Sequence, residues 1–217
     1  MSSENVFGKV ESAGVLAVLV IDDVADAVPL AEALLAGGIR AMELTLRTDA
    51  AMGSLRAIRQ SLPQMLVGIG TILTPEQAQA VAAEGAAFGV SPGVNPQVIE
   101  AALESGLPFA PGVATPSDIE IALSLGCRQL LKFFPAGHLG GLPYLRSMAA
   151  PYNHLGVKYV PLGGVNQKNL AEFLSDPLIA AVGGSWLAPR DVIGAKDWDR
   201  IKQTAAAARA TVDEVRS

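Results

Sequence analysis

Eight short apolar runs recur along the 217 residues at a near-regular interval. They are VLAVLVI (15–21), AMELTL (41–46), MLVGIGT (65–71), AFGVSP (87–92), PFAPGV (108–113), QLLKFF (129–134), VKYVPL (157–162) and IAAVGG (179–184), with starts 21 to 28 residues apart. The gaps between them read as helices. DAVPLAEALLAGG (26–38) is apolar on one side and ends in a glycine pair suited to a C-cap. TPEQAQAVAAEG (74–85) opens with Thr as N-cap, Pro in the first turn and Gln at the capping-box position. NPQVIEAALESG (95–106) and TPSDIEIALSLG (115–126) repeat that grammar, and NQKNLAEFLS (166–175) begins with a cap-capable Asn166. Strand alternating with helix at this period means βαβ units and a parallel sheet. Eight such units in a chain of this length predict an α/β fold, a (β/α)₈ TIM barrel, as a single domain over 1–217. Residues 2–13 read as an additional N-terminal helix and 196–216 as a C-terminal one. The alternative is an open doubly wound sheet, which lacks its usual GxGxxG after the first strand.

Composition bears on partners. Half the chain is apolar and 17% is charged, enough to fill a sizeable core. The net charge is −5 without a run of like charges, so no nucleic-acid footprint is expected. No apolar stretch reaches the 18 residues of a membrane span, and the N-terminal segment lacks a basic signal-peptide region. The expected compartment is the cytoplasm. A single cysteine, Cys127, excludes an internal disulfide and reads as a small buried apolar residue.

In a barrel, functional side chains gather where the strands end at their C-terminal side. In AMELTLRT, period two puts Met42, Leu44 and Leu46 on one face and Glu43, Thr45 and Arg47 on the other. The apolar face belongs against the helices, so Glu43 and Thr45 point inward and Arg47 stands at the mouth. QLLKFF answers in the same register: Leu131 and Phe133 share the helix-facing side and Lys132 lies inward between Leu130 and Phe134. The competing reading is a gatekeeper lysine on the surface of a sticky strand. A closed barrel has no edge to guard, and a second strand supplies an inward carboxylate, which favours a reactive role.

Burial disfavours the charged form of an amine, and the neutral amine is the form that attacks a carbonyl. A carboxylate beside it is what a proton shuttle needs. Lys132 and Glu43 together suggest Schiff-base chemistry on a keto substrate. Arg47 can clamp a carboxylate bidentately, and Thr71, ending GIGT, adds a hydroxyl. LGGVN (162–166) and VGGSW (182–186) follow the seventh and eighth runs, where barrels commonly bind phosphate through backbone N–H groups. His138 and His154 stand in unrelated segments with no metal-binding spacing, and no GxSxG is present. No metal or other cofactor is expected.

The motifs LTLRT, VGIGTIL, SPG, LKFFPA, GGVN and GGSWL, in this order and spacing, resemble those of the 2-keto-3-deoxy-6-phosphogluconate (KDPG) and 4-hydroxy-2-oxoglutarate (KHG) aldolases, from about residue 12 to 205. The resemblance implies a metal-free class I aldolase on a (β/α)₈ barrel, usually trimeric. It implies cleavage of KDPG, a keto-acid sugar phosphate, to pyruvate and glyceraldehyde 3-phosphate, and in many members of KHG to pyruvate and glyoxylate. By the same resemblance Lys132 is the Schiff-base lysine and Glu43 the general acid/base. Arg47 and Thr71 hold the pyruvate carboxylate, and Gly163, Gly164, Gly184 and Ser185 bind the distal phosphate.

One position departs from the pattern. Members acting on the gluconate usually carry Thr before the first glycine pair, and here it is Leu162. Members selective for the galactonate epimer carry an apolar residue there. Losing one substrate hydrogen bond costs about 1–3 kcal/mol, roughly ten- to a hundredfold, enough to change the preferred substrate. A tolerated packing substitution is the other reading of Leu162. Two further alternatives to the aldolase remain at this stage: a phosphate-binding barrel isomerase working without covalent catalysis, and a barrel kept as a binding subunit.

Overall fold

The computed structural model describes residues 6–217. Among them, nine strands alternate with helices. The strands are β1 (Val15–Leu19), β2 (Ala41–Thr45), β3 (Leu66–Gly70), β4 (Gly89–Val90), β5 (Phe109–Ala110), β6 (Gly112–Val113), β7 (Leu130–Phe133), β8 (Lys158–Pro161) and β9 (Val182–Gly184). The α-helices are α1 (Val6–Ala13), α2 (Ala27–Ala36), α3 (Ala50–Ser61), α4 (Pro75–Ala83), α5 (Pro96–Glu104), α6 (Pro116–Ser124), α7 (Gly141–Ala149), α8 (Leu170–Leu174), α9 (Arg190–Gly194) and α10 (Trp198–Arg216).

The helix starts follow the cap chemistry. The Thr74 side chain accepts from Gln77 N–H while the Gln77 side chain accepts from Thr74 N–H. Thr115 and Asp118 form the same reciprocal pair at α6, and Asn95 caps α5. Each of these helices has Pro in its first turn, where a missing N–H costs nothing. Asn166 behaves otherwise than expected. Its carboxamide accepts from Lys168 N–H and makes a turn, and α8 begins later, after Asn169. The C-terminal helix begins at Trp198, and a short extra helix, α9, precedes it. Of the expected N-terminal helix, residues 6–13 are helical and 2–5 lie outside the described residues.

All strand pairs are parallel. One sheet has the order β5-β4-β3-β2-β1-β9, the other β6-β7-β8. The fifth apolar run supplies both β5 and β6, divided at Pro111, which has no N–H for the ladder. Its carbonyl still accepts from Lys132 N–H at 3.0 Å. First and last strands lie side by side, Val15 opposite Val182 and Ala17 opposite Gly184. An open doubly wound sheet does not pair them so. The fold is therefore α/β with curled parallel sheets flanked by helices.

Two apolar clusters result. On the outer face, Met42, Leu44, Leu131 and Phe133 pack against the helices in the larger cluster. On the inner face, Leu16, Phe88, Val90, Ala110, Leu130, Val160 and Leu162 form a smaller one, joined by Val10 of α1. Each large side chain so buried contributes about 1.5–3 kcal/mol. Helix α1 is held by α10: Arg209 donates to Ala13 O at 3.0 Å, and Arg216 donates to Glu11 O and Ala180 O. Cys127 is buried, and burial pushes its thiol up to about 11.

Candidate active site

Two inner-face positions are charged, and the fold brings them together. Lys132 Nζ donates to Glu43 Oε1 at 3.3 Å, across 89 residues of sequence. Lys132 is 6% exposed and Glu43 1%. The strand alternation accounts for both orientations, since Met42, Leu44, Leu131 and Phe133 claim the helix side. The pair stands over a small cavity whose other walls are apolar: Val10, Leu16, Phe88, Val90, Ala110, Leu130, Val160 and Leu162. Glu43 Oε2 is buried without a hydrogen-bond partner among the described residues. A buried carboxylate oxygen left unmatched is costly and is an acceptor aimed at whatever enters.

Two neighbours that the sequence did not single out complete the pair. The Phe134 ring lies 5.3 Å from Lys132 Nζ, and its place two residues along the same strand face was the available signal. Gly70 is required by Glu43: a Cβ there would overlap the carboxylate. Nothing in the sequence distinguishes this glycine from others, because the approach is across strands, Thr45 lying opposite Gly70.

The remaining residues of interest stand at the C-terminal strand ends. Arg47 is exposed, two residues beyond β2, and Thr71 follows β3 directly. Leu46 N–H donates to Gly70 O, so these two ends run together. Thr71 has φ of 61°, a left-handed backbone that costs a β-branched residue energy and that the surroundings must hold. Thr45, also inward and buried, gives its hydroxyl to Leu19 O at 3.0 Å and is spent on structure.

Gly163 and Gly164 have φ of 86° and 85°, conformations that favour glycine. Their turn meets the segment after β7, with Ala136 N–H donating to Leu162 O and Gly137 N–H to Gly163 O. Gly184 is extended, and there the constraint is space: a Cβ would enter the Trp186 ring. Ser185 is exposed. Leu162 is buried, and a Cβ on Gly183 would come within 2.8 Å of its Cγ. No side-chain hydrogen bond joins Arg47, Thr71 or Ser185 to the Lys132–Glu43 pair among the described residues. His138 and His154 are both exposed. Among the described residues no three His, Cys, Asp or Glu side chains are grouped to hold a metal ion.

A buried amine beside a carboxylate in an otherwise apolar cavity can add to a carbonyl and move a proton nearby. Comparison with known proteins points the same way. The family model "KDPG and KHG aldolase" matches residues 6–204. The 2-dehydro-3-deoxy-phosphogluconate aldolase of Treponema pallidum is 45% identical over 196 residues, 90% of this chain and 92% of that protein. The crystal structure of the KDPG aldolase of Legionella pneumophila, with pyruvate captured at low pH as a covalent carbinolamine intermediate, superposes with a TM-score of 0.88. It is 41% identical and covers 93% of this chain and 97% of that one. The native KDPGal structure is 30% identical, with a TM-score of 0.81 and coverage of 93% and 95%.

Proposed function

The chain belongs to the KDPG and KHG aldolase family, and from that premise we propose a pyruvate-forming class I aldolase in which Lys132 is the Schiff-base residue and Glu43 the general acid/base. The observation that carries this reading is the 3.3 Å contact between two buried charged groups in an otherwise apolar cavity. A relative that captures pyruvate as a carbinolamine supports it. The continuity of β5 and β6 through Pro111 and the bridge between Tyr159 and Ile179 support a closed (β/α)₈ barrel around that cavity, one domain with α1 as its floor.

In this mechanism the Lys132 amine adds to the C2 ketone, and loss of water from the carbinolamine leaves an iminium. Glu43, directly or through a water, takes the proton of the C4 hydroxyl. The C3–C4 bond breaks, its electron pair passing into the iminium, and the aldehyde leaves. The resulting enamine takes a proton on C3 with the help of Glu43, and hydrolysis returns pyruvate and the free amine. Arg47 and Thr71 hold the carboxylate. Backbone N–H groups at Gly163, Gly164 and Gly184, with the Ser185 hydroxyl, hold the distal phosphate. The protein is read as a cytoplasmic homotrimer needing no metal.

KDPG is the substrate proposed first, with KHG as a second. A specific observation favours the galactonate epimer as alternative: Leu162 lines the cavity with Lys132 and Glu43 and offers no hydrogen bond to a C4 hydroxyl. Incubation with pyruvate and borohydride, followed by intact mass and peptide mapping, tests the chemistry. A pyruvate-sized adduct on Lys132 is expected, and folded protein without one would return the site to non-covalent chemistry. Cleavage rates on KDPG, its galactonate epimer and KHG then decide the aldehyde partner, with Leu162→Thr as the diagnostic variant.

A further inference from the structure

The inner face of β3 is bare at two positions. Gly68 and Gly70 alternate with Val67 and Ile69, which pack in the outer cluster. Both glycines are buried, and the space over each is filled from a neighbouring segment. A Cβ on Gly68 would overlap the Phe88 ring, part of the inner cluster. A Cβ on Gly70 would overlap Glu43 Oε1 and come within 2.5 Å of Cδ and 2.8 Å of Cγ, so the three atoms nearest to it all belong to one side chain. Oε1 is the oxygen that accepts from Lys132 Nζ. Gly70 does not have a left-handed φ, so the backbone there suits any residue and the requirement is for empty space. The strand is fixed on both sides: Gly70 O accepts from Leu46 N–H at 2.9 Å, and Ile69 N–H donates to Phe88 O at 3.0 Å.

We propose, on the roles given above to Lys132 and Glu43, that Gly70 is a positioning residue for the proton transfers and not for imine formation. Without a Cβ it lets the Glu43 carboxylate rest on β3, with Oε1 on the Lys132 amine and Oε2, which has no partner among the described residues, left for the substrate proton. A methyl group at this position presses on Glu43 atoms, which can rotate, and not on backbone, which the ladder holds. The fold therefore survives and the carboxylate moves. A misplacement of about 1 Å at a group that transfers protons costs about a hundredfold. Lys132 is not among the atoms nearest the added methyl, so the amine still adds to a ketone.

The test is exchange of deuterium from solvent into the methyl group of pyruvate, followed by NMR and expressed per protein molecule that borohydride traps. In the Lys132–pyruvate iminium, Glu43 takes a methyl proton, the C–H electron pair passes into the iminium to give the enamine, and a deuteron returned to C3 restores the iminium. Wild type, Gly70→Ala, Glu43→Gln and the Gly70→Ala/Glu43→Gln double variant are compared. Gly70→Ala should trap pyruvate on Lys132 and exchange at least about tenfold more slowly than the wild type. In the Glu43→Gln background the same substitution should cost less than about threefold further, because it acts through a carboxylate already removed. Exchange by Gly70→Ala within about tenfold of the wild type, loss of trapping in the folded variant, or a further fall of about threefold or more in the double variant overturns the proposal. Should Gly70→Ala not fold, Gly70→Ala/Glu43→Ala should, since the overlapping side chain is gone, and a double variant that also fails to fold overturns it too. Absence of trapping in the wild type counts instead against the aldolase reading, and wild-type exchange by Glu43→Gln against the role of Glu43, so the failures are distinguishable.

Discussion

Two of the buried carboxylates among the described residues, Asp176 and Glu43, stand in ion pairs that are finished differently. Asp176 is buried with its side chain 2% exposed, while its partner Arg146 is 61% exposed. Both Asp176 oxygens are used: Arg146 Nε donates to Oδ2 at 2.6 Å and Leu178 N–H to Oδ1 at 2.9 Å. In the other pair both members are buried, at 1% for Glu43 and 8% for Lys132. Their contact is 3.3 Å, and Glu43 Oε2 has no partner among the described residues. The first pair keeps its cation in water and satisfies its acceptors, which is how a buried carboxylate becomes a structural anchor. The second hides both charges and leaves an acceptor unmatched. It costs folding energy and holds two proton-exchanging groups at bonding distance, which is what a reactive centre requires.

Substitutions should separate the two pairs sharply. Lys132→Met should abolish imine trapping and lower turnover by at least about 10⁴-fold. By leaving Glu43 unpaired it should also cost about 3–5 kcal/mol in denaturant unfolding. Adding Glu43→Leu should return much of that stability and none of the activity, and a double variant as unstable as the single one would contradict the cost assigned to this pair. Glu43→Gln should lower turnover about 10²- to 10⁴-fold while pyruvate remains trappable on Lys132, which mass measurement of the reduced adduct checks. At the other pair, Asp176→Ala should cost about 2–3 kcal/mol of stability, with turnover per folded molecule unchanged. A tenfold fall in turnover there would erase the distinction between anchor and centre.

The smallest effect concerns a buried group in neither pair. Burial raises the Cys127 thiol from 9.0 to about 11. The folded chain thus holds that proton more tightly than the unfolded one. Stability from this group is full below about pH 9 and is lost as pH rises toward about 11, on the order of 2 kcal/mol. Alkaline unfolding of Cys127→Ala should lack that slope, and thiol alkylation of the wild type should track unfolding.

Much of this was legible in residue order. Period-two alternation put Glu43 and Lys132 on the faces away from the helices, because a strand alternates its side chains whatever surrounds it. Thr74 with Gln77 and Thr115 with Asp118 announced helix starts, because capping is chemistry within four residues. Reading failed where a residue answers to something distant or rival. The fifth run became two strands because Pro111 cannot donate. Asn166 served a turn because Lys168 N–H lies closer than any helix start. Arg146 and Asp176, thirty residues apart, carried no mark of each other. Neither did Gly70 and the Glu43 carboxylate it makes room for.

By itself, then, the order of residues determined the strand–helix alternation, the inward faces and the supply of an amine, a carboxylate, an arginine and glycine turns. Only the tertiary structure decided that the amine and carboxylate stand 3.3 Å apart, that Val10 closes the cavity below them and that the carboxylate rests on Gly70. Local pattern follows from covalent geometry and solvation over a few residues. Distances between strands 89 residues apart follow from how the parallel sheets pair and curl, which no short stretch of sequence contains.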